Sequence, residues 1–462
     1  MNSESKKWPQ FLVVITATIA VFTTGLHTGW PAPSLPKLLS DEYPFDVTNE
    51  EASYITIIGS LGNFFGSFVG NIFLDKIGRR KTILMIALPQ LVSLLCIILS
   101  YQVMELLYVG RFMGGIGEGM TITVILLYIG EIAEPTIRGT LATLVSITWY
   151  SGVLFVNIVG SYLSIRDTAI TFIALPVLFV LLFYKMPESP YYLLMNNDEE
   201  QAERALKFLR RQSNVTQELT KLKLDVNRQM SERGTFKDIF TIDSNRRAFF
   251  VTVGARFFQL ATGVASFNLY LQLLLKEATH TLDPDVGSTI VLLIQLIMTV
   301  CSTFIIDKWG RKPLLLFSST GCFINLAVQS VFFILKERTA VDVSVVDWFP
   351  LVMMFLHIFL YSIGLGVVVS VLTSEMFSAS IKAKLICLVN ACYALLTLVY
   401  TKYYQFTADE FGLVVPFLSF AVLTFVGVLF IWFVVPETKG KSLEEIQQKL
   451  KGRGRRTENT VI

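Results

Sequence analysis

Charge is scarce in this chain of 462 residues: Asp, Glu, Lys and Arg make up 16% of it, and base exceeds acid by only three. No long basic tract is present, so a nucleic-acid partner is not expected. Histidine is rarer still, with three copies, and the five cysteines (Cys96, Cys301, Cys322, Cys387, Cys392) all fall inside apolar runs. None has metal-ligand or redox spacing, so no metal, no disulfide and no cofactor is expected. A glycine-rich phosphate loop is absent, which removes ATP-driven work, and no nucleophile lies in a pattern with a base, so there is no catalytic residue to name. A cleavable leader is not expected either. Lys6 and Lys7 precede an apolar stretch that is too long for one and lacks a small-residue cleavage site, so it reads as a membrane span.

What the chain has instead is apolar length: 53% of its residues are hydrophobic, and mean hydropathy is +0.57. Runs near the ~20 residues that a bilayer requires lie at 11–33, 52–74, 82–101, 104–127, 140–162, 169–186, 248–275, 286–306, 313–335, 348–372, 384–405 and 411–435. Twelve spans put both termini on one side. Basic residues concentrate in the loops of that side, which by the positive-inside rule is the cytoplasm. The second span carries Gly59, Gly62, Gly66 and Gly70, and the fourth Gly110, Gly114, Gly115, Gly117 and Gly119, the composition of helices whose backbones touch.

One charged knot occurs twice, half the chain length apart: Asp75-Lys76-Ile77-Gly78-Arg79-Arg80-Lys81 and Asp307-Lys308-Trp309-Gly310-Arg311-Lys312. Two further pairs keep the same order. Glu131 to Arg138 is matched by Glu375 to Lys382, and Pro187-Glu188-Ser189 by Pro436-Glu437-Thr438. Three motifs repeated in one order predict two similar halves of parallel topology. The fold expected is therefore an all-α membrane protein with twelve transmembrane helices in two pseudo-symmetric six-helix bundles. Its parts are an N-terminal bundle at 1–186, a short cytoplasmic helical linker at 187–247, a C-terminal bundle at 248–435 and a tail at 436–462. The linker should hold an amphipathic helix from Asp198 to Arg211 and a second around Gln217 to Met230, forming a solvated strut. Its sequon, Asn214-Val215-Thr216, would face the cytoplasm and stay unmodified.

The repeated charges suggest ionic clasps. Arg79 and Arg80 are placed to meet Glu131 and Glu188, with Asp75, Arg111 and Arg138 in the same network. In the second half Arg311 and Lys312 are placed to meet Glu375 and Glu437, with Asp307 and Lys382. Such clasps would hold an inner gate shut and release it on opening.

Several motifs carry a resemblance to a known family: Gly110-Arg111-Phe112, Tyr128-Ile129-Gly130-Glu131, Arg138-Gly139, Pro187-Glu188-Ser189-Pro190 and Val435-Pro436-Glu437-Thr438-Lys439-Gly440-Lys441-Ser442-Leu443. Over nearly its whole length the chain resembles the sugar porter family of the major facilitator superfamily. His27-Thr28-Gly29-Trp30-Pro31-Ala32-Pro33 with Leu35-Pro36 is similar to insect facilitative sugar transporters, trehalose transporters among them. The resemblance implies the major facilitator fold, alternating access through a central cavity, a small-molecule sugar as partner besides the lipid bilayer, and a plasma-membrane location.

A neutral polyol requires amides, hydroxyls and an aromatic surface in an otherwise apolar pocket. Gln259, Thr262, Ser266 and Tyr270 recur at one helical face of the seventh span, and Gln295 adds an amide from the eighth. Gln259 and Gln295 also fall where the family keeps a glutamine and an asparagine for sugar. Asn268, Ser146, Tyr361 and Ser362 complete the expected substrate contacts. The departures from the family pattern are concentrated here. Ser146 replaces a fifth-span glutamine, Leu260 and Ala265 replace seventh-span amides, and Ser362 replaces a glutamate. Gly364-Leu365-Gly366 stands where prolines are expected, and Tyr393-Ala394 stands for an Asn-Trp pair. Gates and scaffold thus match the family while the sugar site is rebuilt.

Three buried ionisable residues remain. His27 takes the first-span position where proton-coupled members carry an aspartate, facing Arg111. Because Arg111 disfavours a second positive charge beside it, uniport is expected over symport. Glu118 falls near mid-membrane, where a carboxylate must be paired, wet or protonated. Arg256 reads as snorkelling towards the cytoplasm, and His357 and His280 as structural and loop residues. The expectation is a facilitative carrier of a neutral sugar, a hexose or trehalose, acting as a monomer and not as an enzyme. Two alternatives stay open: a transport-inactive sugar sensor, and a proton-linked carrier of another small solute through Glu118 and His27.

Overall fold

The computed structural model describes residues 6–134, 136–231, 234–278, 282–339, 344–346, 348–377, 381–439, 441 and 445–446. The chain forms two compact units, residues 1–233 and 234–462.

In the first unit α1 (Trp8–Gly29) bends into α2 (Pro31–Leu38), followed by α3 (Asn49–Ile77), α4 (Arg79–Met85), α5 (Ala87–Leu99), α6 (Glu105–Ile132), α7 (Arg138–Tyr162), α8 (Ile165–Phe172), α9 (Ala174–Phe183), α10 (Pro190–Met195), α11 (Glu199–Arg210) and α12 (Thr216–Ser231). A capping box starts α3: Thr48 accepts from the Glu51 N–H at 3.2 Å, while the Glu51 carboxylate accepts from the Thr48 N–H at 2.9 Å. The glycines pack α3 directly on α6. A Cβ added at Gly62 would lie 2.1 Å from the Phe112 carbonyl, and one at Gly115 would lie 2.0 Å from that of Gly59, so no larger residue permits this approach. Val13, Ile125, Tyr128, Phe179 and Phe183 fill the core.

The second unit runs through α13 (Asp238–Thr241), α14 (Asp243–Leu260), α15 (Val264–Leu269), α16 (Leu271–Ala278), α17 (Pro284–Trp309), α18 (Arg311–Arg338), α19 (Phe349–Ile363), α20 (Leu365–Glu375), α21 (Lys382–Phe411) and α22 (Val414–Phe433). Among the described residues eleven helices are long and apolar enough to cross a bilayer. The seventh expected span is the difference. It is not one helix but three pieces, α14 to α16, broken at Gly263 (φ 78°) and again at Tyr270. Gln259, Thr262, Ser266 and Tyr270 therefore do not share one continuous helical face, contrary to the spacing argument.

Sequence alone makes the linker a solvated strut, and the structure corrects that. Its helices fall close to the expected bounds, but α10 to α12 enclose a small core of Leu193, Leu194, Ala202, Leu206, Val215, Leu219 and Val226. Arg210, buried at the end of α11, donates to the Ile132 carbonyl at 3.0 Å and pairs with Glu134 and Glu218. Gln10 of α1 donates to Glu134 at 3.1 Å. The linker's first part is thus bolted to α1 and α6. The five cysteines are free thiols.

Candidate functional site

The duplicated motifs build the same clasp in each unit. Gly78 (φ 97°) and Gly310 (φ 95°) turn the chain so that a new helix starts with its N–H groups facing a carboxylate. In the first unit the Arg79 and Arg80 N–H groups donate to Glu188 at 2.9 and 3.1 Å. The buried Arg79 guanidinium holds Glu131 with two prongs, Nε to Oε2 at 2.9 Å and Nη2 to Oε1 at 2.9 Å. In the second, the Arg311 and Lys312 N–H groups donate to Glu437 at 3.1 and 2.9 Å. Arg311 Nη2 donates to Glu375 at 2.8 Å.

Two details depart from the sequence reading. The side chains of Arg80 and Lys312 do not meet Glu188 and Glu437. They donate instead to the carbonyls of Tyr184 and Trp432 at the C-terminal ends of α9 and α22, where cations satisfy orphan acceptors. Arg111 is not in the clasp, since it lies with His27. Arg138 donates to the Ala133 carbonyl at 3.3 Å, and Asp75 contributes charge beside Arg79. The side chains of Asp307 and Lys382 lie outside what the structure describes. Ser189 and Thr438 were missed: their hydroxyls donate to Glu131 and Glu375. A hydroxyl residue directly after Pro-Glu in both copies was the available signal.

The two clasps differ electrostatically. Burial pushes the Glu188 carboxyl above the usual range despite donors from Ser189, Arg80 and Arg79. At Glu437 burial acts in the same direction but loses to the N–H groups of Lys439, Arg311, Lys312 and Thr438, which together hold it below that range.

The polar lining of the second unit is assembled from broken helices. Gln259 is buried, and its amide is fully engaged: Nε2 donates to Tyr361 Oη at 3.0 Å and to the Leu365 carbonyl at 2.7 Å, while Oε1 accepts from Arg256 at 2.9 Å. Arg256 thus has partners within the protein. Its guanidinium also donates to Ser370 Oγ at 3.0 Å and lies over the Tyr393 ring. The break between α19 and α20 at Gly364 is mended by serines that the sequence did not single out. Ser318 accepts from the Leu365 N–H at 3.0 Å and donates to the Leu360 carbonyl at 2.7 Å, and Ser302 donates to the Ser362 carbonyl at 2.7 Å.

Thr262 and Ser266 spend their hydroxyls on the Gln259 and Tyr400 carbonyls. Three expected contacts keep a buried polar atom with no hydrogen-bond partner among the described residues: Gln295 Oε1, Ser362 Oγ and Asn268 Oδ1. Ser146, by contrast, is exposed on α7. His357 is buried with its ring edge-on to Phe267, in keeping with a structural role, and His280 lies outside the described residues.

In the first unit His27 and Arg111 come together as the resemblance implied, although Arg111 Nη1 donates to the His27 backbone carbonyl, at 2.7 Å, and not to the ring. The guanidinium lies 4.8 Å from the centre of the Trp30 ring, a cation–π contact. His27 Nδ1 is 3.3 Å from Ser93 Oγ. The Glu118 carboxyl lies beside the Thr28 hydroxyl and the Asn63 amide.

Comparison with known proteins agrees with this architecture. The chain is similar to the facilitated trehalose transporter Tret1 of Drosophila willistoni, at 31% identity over 97% of this chain and 52% of the relative. It is also similar to Tret1 of Drosophila mojavensis, at 32% identity over 97% of this chain and 52% of the relative. It thus spans about half the length of these relatives. Among solved structures it matches the major facilitator superfamily proton:xylose symporter XylE bound to 6-bromo-6-deoxy-D-glucose. That match has a TM-score of 0.78 and 22% identity over 96% of this chain and 99% of the other. The inward-open xylose transporter XylE from E. coli matches with a TM-score of 0.77 and 21% identity over 95% and 99%. Their likeness is one of fold. With residues 13–450 matching the family model described as sugar (and other) transporter, the chain belongs to that family.

Proposed function

We propose that this chain is a facilitative carrier of a neutral sugar, a hexose or trehalose, working by alternating access in the plasma membrane with both termini cytoplasmic. The observation that carries the reading is that three residues expected to meet substrate each keep a buried polar atom with no hydrogen-bond partner among the described residues: Oε1 of Gln295, Oγ of Ser362 and Oδ1 of Asn268. A buried polar atom left alone costs about 1–3 kcal/mol, and the hydroxyls of a polyol are its natural complement. The names of the Drosophila relatives favour the same substrate class. The clasps act as the gate in this reading, tight with one side closed and parted with it open.

The test is uptake of labelled glucose and trehalose by purified protein in liposomes. Saturable uptake that ignores an imposed pH gradient is expected. Gln295→Ala should raise KM by roughly tenfold, the equivalent of one buried hydrogen bond. Absence of saturable uptake for any sugar would overturn the proposal. The complete engagement of the Gln259 amide favours one second reading, a sugar sensor, which would show a ligand-dependent thermal shift without flux.

A further inference from the structure

Glu118 occupies the middle of the 28-residue helix α6, about 20 Å of helix rise from either end. Every other Asp or Glu of the described spanning helices lies within about two turns of a helix end. A carboxyl at that depth is costly unless it meets donors. Its neighbours are neutral: the Thr28 hydroxyl from α1 and the Asn63 amide from α3. Arg111, two turns earlier on the same face of α6, adds its field but is drawn to the His27 carbonyl and the Trp30 ring. Among the described residues no ion pair joins it to Glu118.

The place is rigid. Gly115 and Gly119 flank Glu118 on α6, and a Cβ at Gly119 would lie 2.2 Å from the Asn63 carbonyl, so the α3 and α6 backbones fix Asn63 and Glu118 side by side. Asn63 is 4% exposed, and its Oδ1 has no hydrogen-bond partner among the described residues. Glu118 and Thr28 are only half-buried as residues, so the place is not wholly sealed by protein. A carboxylate offers about four acceptor positions; the Asn63 amide lies beside it, while the Thr28 hydroxyl donates its one proton to the Thr24 carbonyl at 3.0 Å, so acceptor positions stay open.

We propose that Glu118, supported by Asn63 and Thr28, is a hydroxyl-reading subsite of the first unit: two adjacent hydroxyls of a polyol donate to the carboxylate and a third to Asn63 Oδ1. This rests on the sugar-carrier reading and adds to it the feature of the sugar that is read, a vicinal diol. A proton-carrying role for the same carboxyl is the competing outcome.

The experiment is counterflow of D-glucose and trehalose by the full chain in liposomes, with the 2-, 3-, 4- and 6-deoxy analogues of glucose as competitors. Wild type should lose roughly tenfold in affinity for analogues lacking either hydroxyl of one adjacent pair, and also for the analogue lacking one further hydroxyl. Glu118→Gln should weaken the parent sugar by a similar factor and erase that penalty, the signature of a shared interaction. Asn63→Ala should erase the penalty at one further hydroxyl only, which tests the subsite independently if Glu118→Gln fails to fold. An unchanged deoxy profile in both variants overturns the assignment. So does a Glu118→Gln protein that keeps its affinity but loses a pH-gradient-driven component of uptake. Failure of wild type to bind or move either sugar is a separate result: it overturns the carrier reading and this subsite with it.

Discussion

The Arg79 guanidinium is 4% exposed and meets a carboxylate, Glu131, that is 9% exposed. A charge so enclosed is tolerable only while its partner stays, and breaking such a pair leaves the survivor buried and uncompensated. Arg79→Ala should therefore lower stability by about 3–5 kcal/mol, seen as a fall in the thermal unfolding midpoint in detergent. Arg311→Ala should cost less, because the Arg311–Glu375 pair is more open, at 12% and 27% exposure. Lysine cannot replace either residue fully, since it lacks the planar fork. Acid should separate the two backbone-bound carboxylates. Glu437 sits below the usual glutamate range in the folded chain, so its contribution is complete at neutral pH and is lost as pH falls through that lowered value. The difference in melting temperature between wild type and Glu437→Gln should accordingly persist to about pH 4 and then close. Glu188, raised by burial, takes up its proton first, so its difference from Glu188→Gln should change at higher pH. The arginine–glutamate partners were readable from the repeat. The partners of Arg80 and Lys312 were not, because which orphan carbonyl lies within reach is a matter of helix ends brought together in space.

The helix that failed to form in one piece is the informative element. An apolar run from 248 to 275 meets every composition rule for a span, yet Gly263 adopts φ 78° with Phe420 and Phe267 so close that an added Cβ would lie 2.6 and 2.8 Å from their rings. Packing of α22 against this turn favours the break. Gly263→Ala should destabilise the chain by at least about 1–3 kcal/mol, from the left-handed conformation alone. Gly130→Ala is the control: nothing lies within 4 Å of the added Cβ, and alanine is the better helix former by ~1 kcal/mol. Thermal melting of the two variants side by side checks both signs. The consequence reaches the site. Once α14 ends after Leu260, Gln259 sits at a helix end and spends its amide on Arg256, Tyr361 and Leu365. Gln295, Ser362 and Asn268 each keep a buried polar atom with no hydrogen-bond partner among the described residues.

Across the whole molecule the repeat appears as two clasps of the same construction, one in each compact unit, sharing no partner among the described residues. Their stability costs should therefore add: the Arg79→Ala, Arg311→Ala double variant should lose the sum of the single losses within about 0.5 kcal/mol. Coupling beyond that would show that each clasp senses the other. The dominance of apolar runs, the spacing of the charged knots and the order of three motifs determined, by themselves, an all-helical duplicated membrane protein and the Arg–Glu partners within each half. Those features follow from bilayer thickness and from the cost of charge in hydrocarbon, which act on the chain locally. Tertiary structure alone decided where α14 stops, which way Arg256 turns, how the linker helices dock through Arg210, and which polar atoms remain unsatisfied. Each of these depends on what another helix presents at a distance of a few ångströms, and such a meeting leaves no mark in the spacing of residues along one strand of sequence.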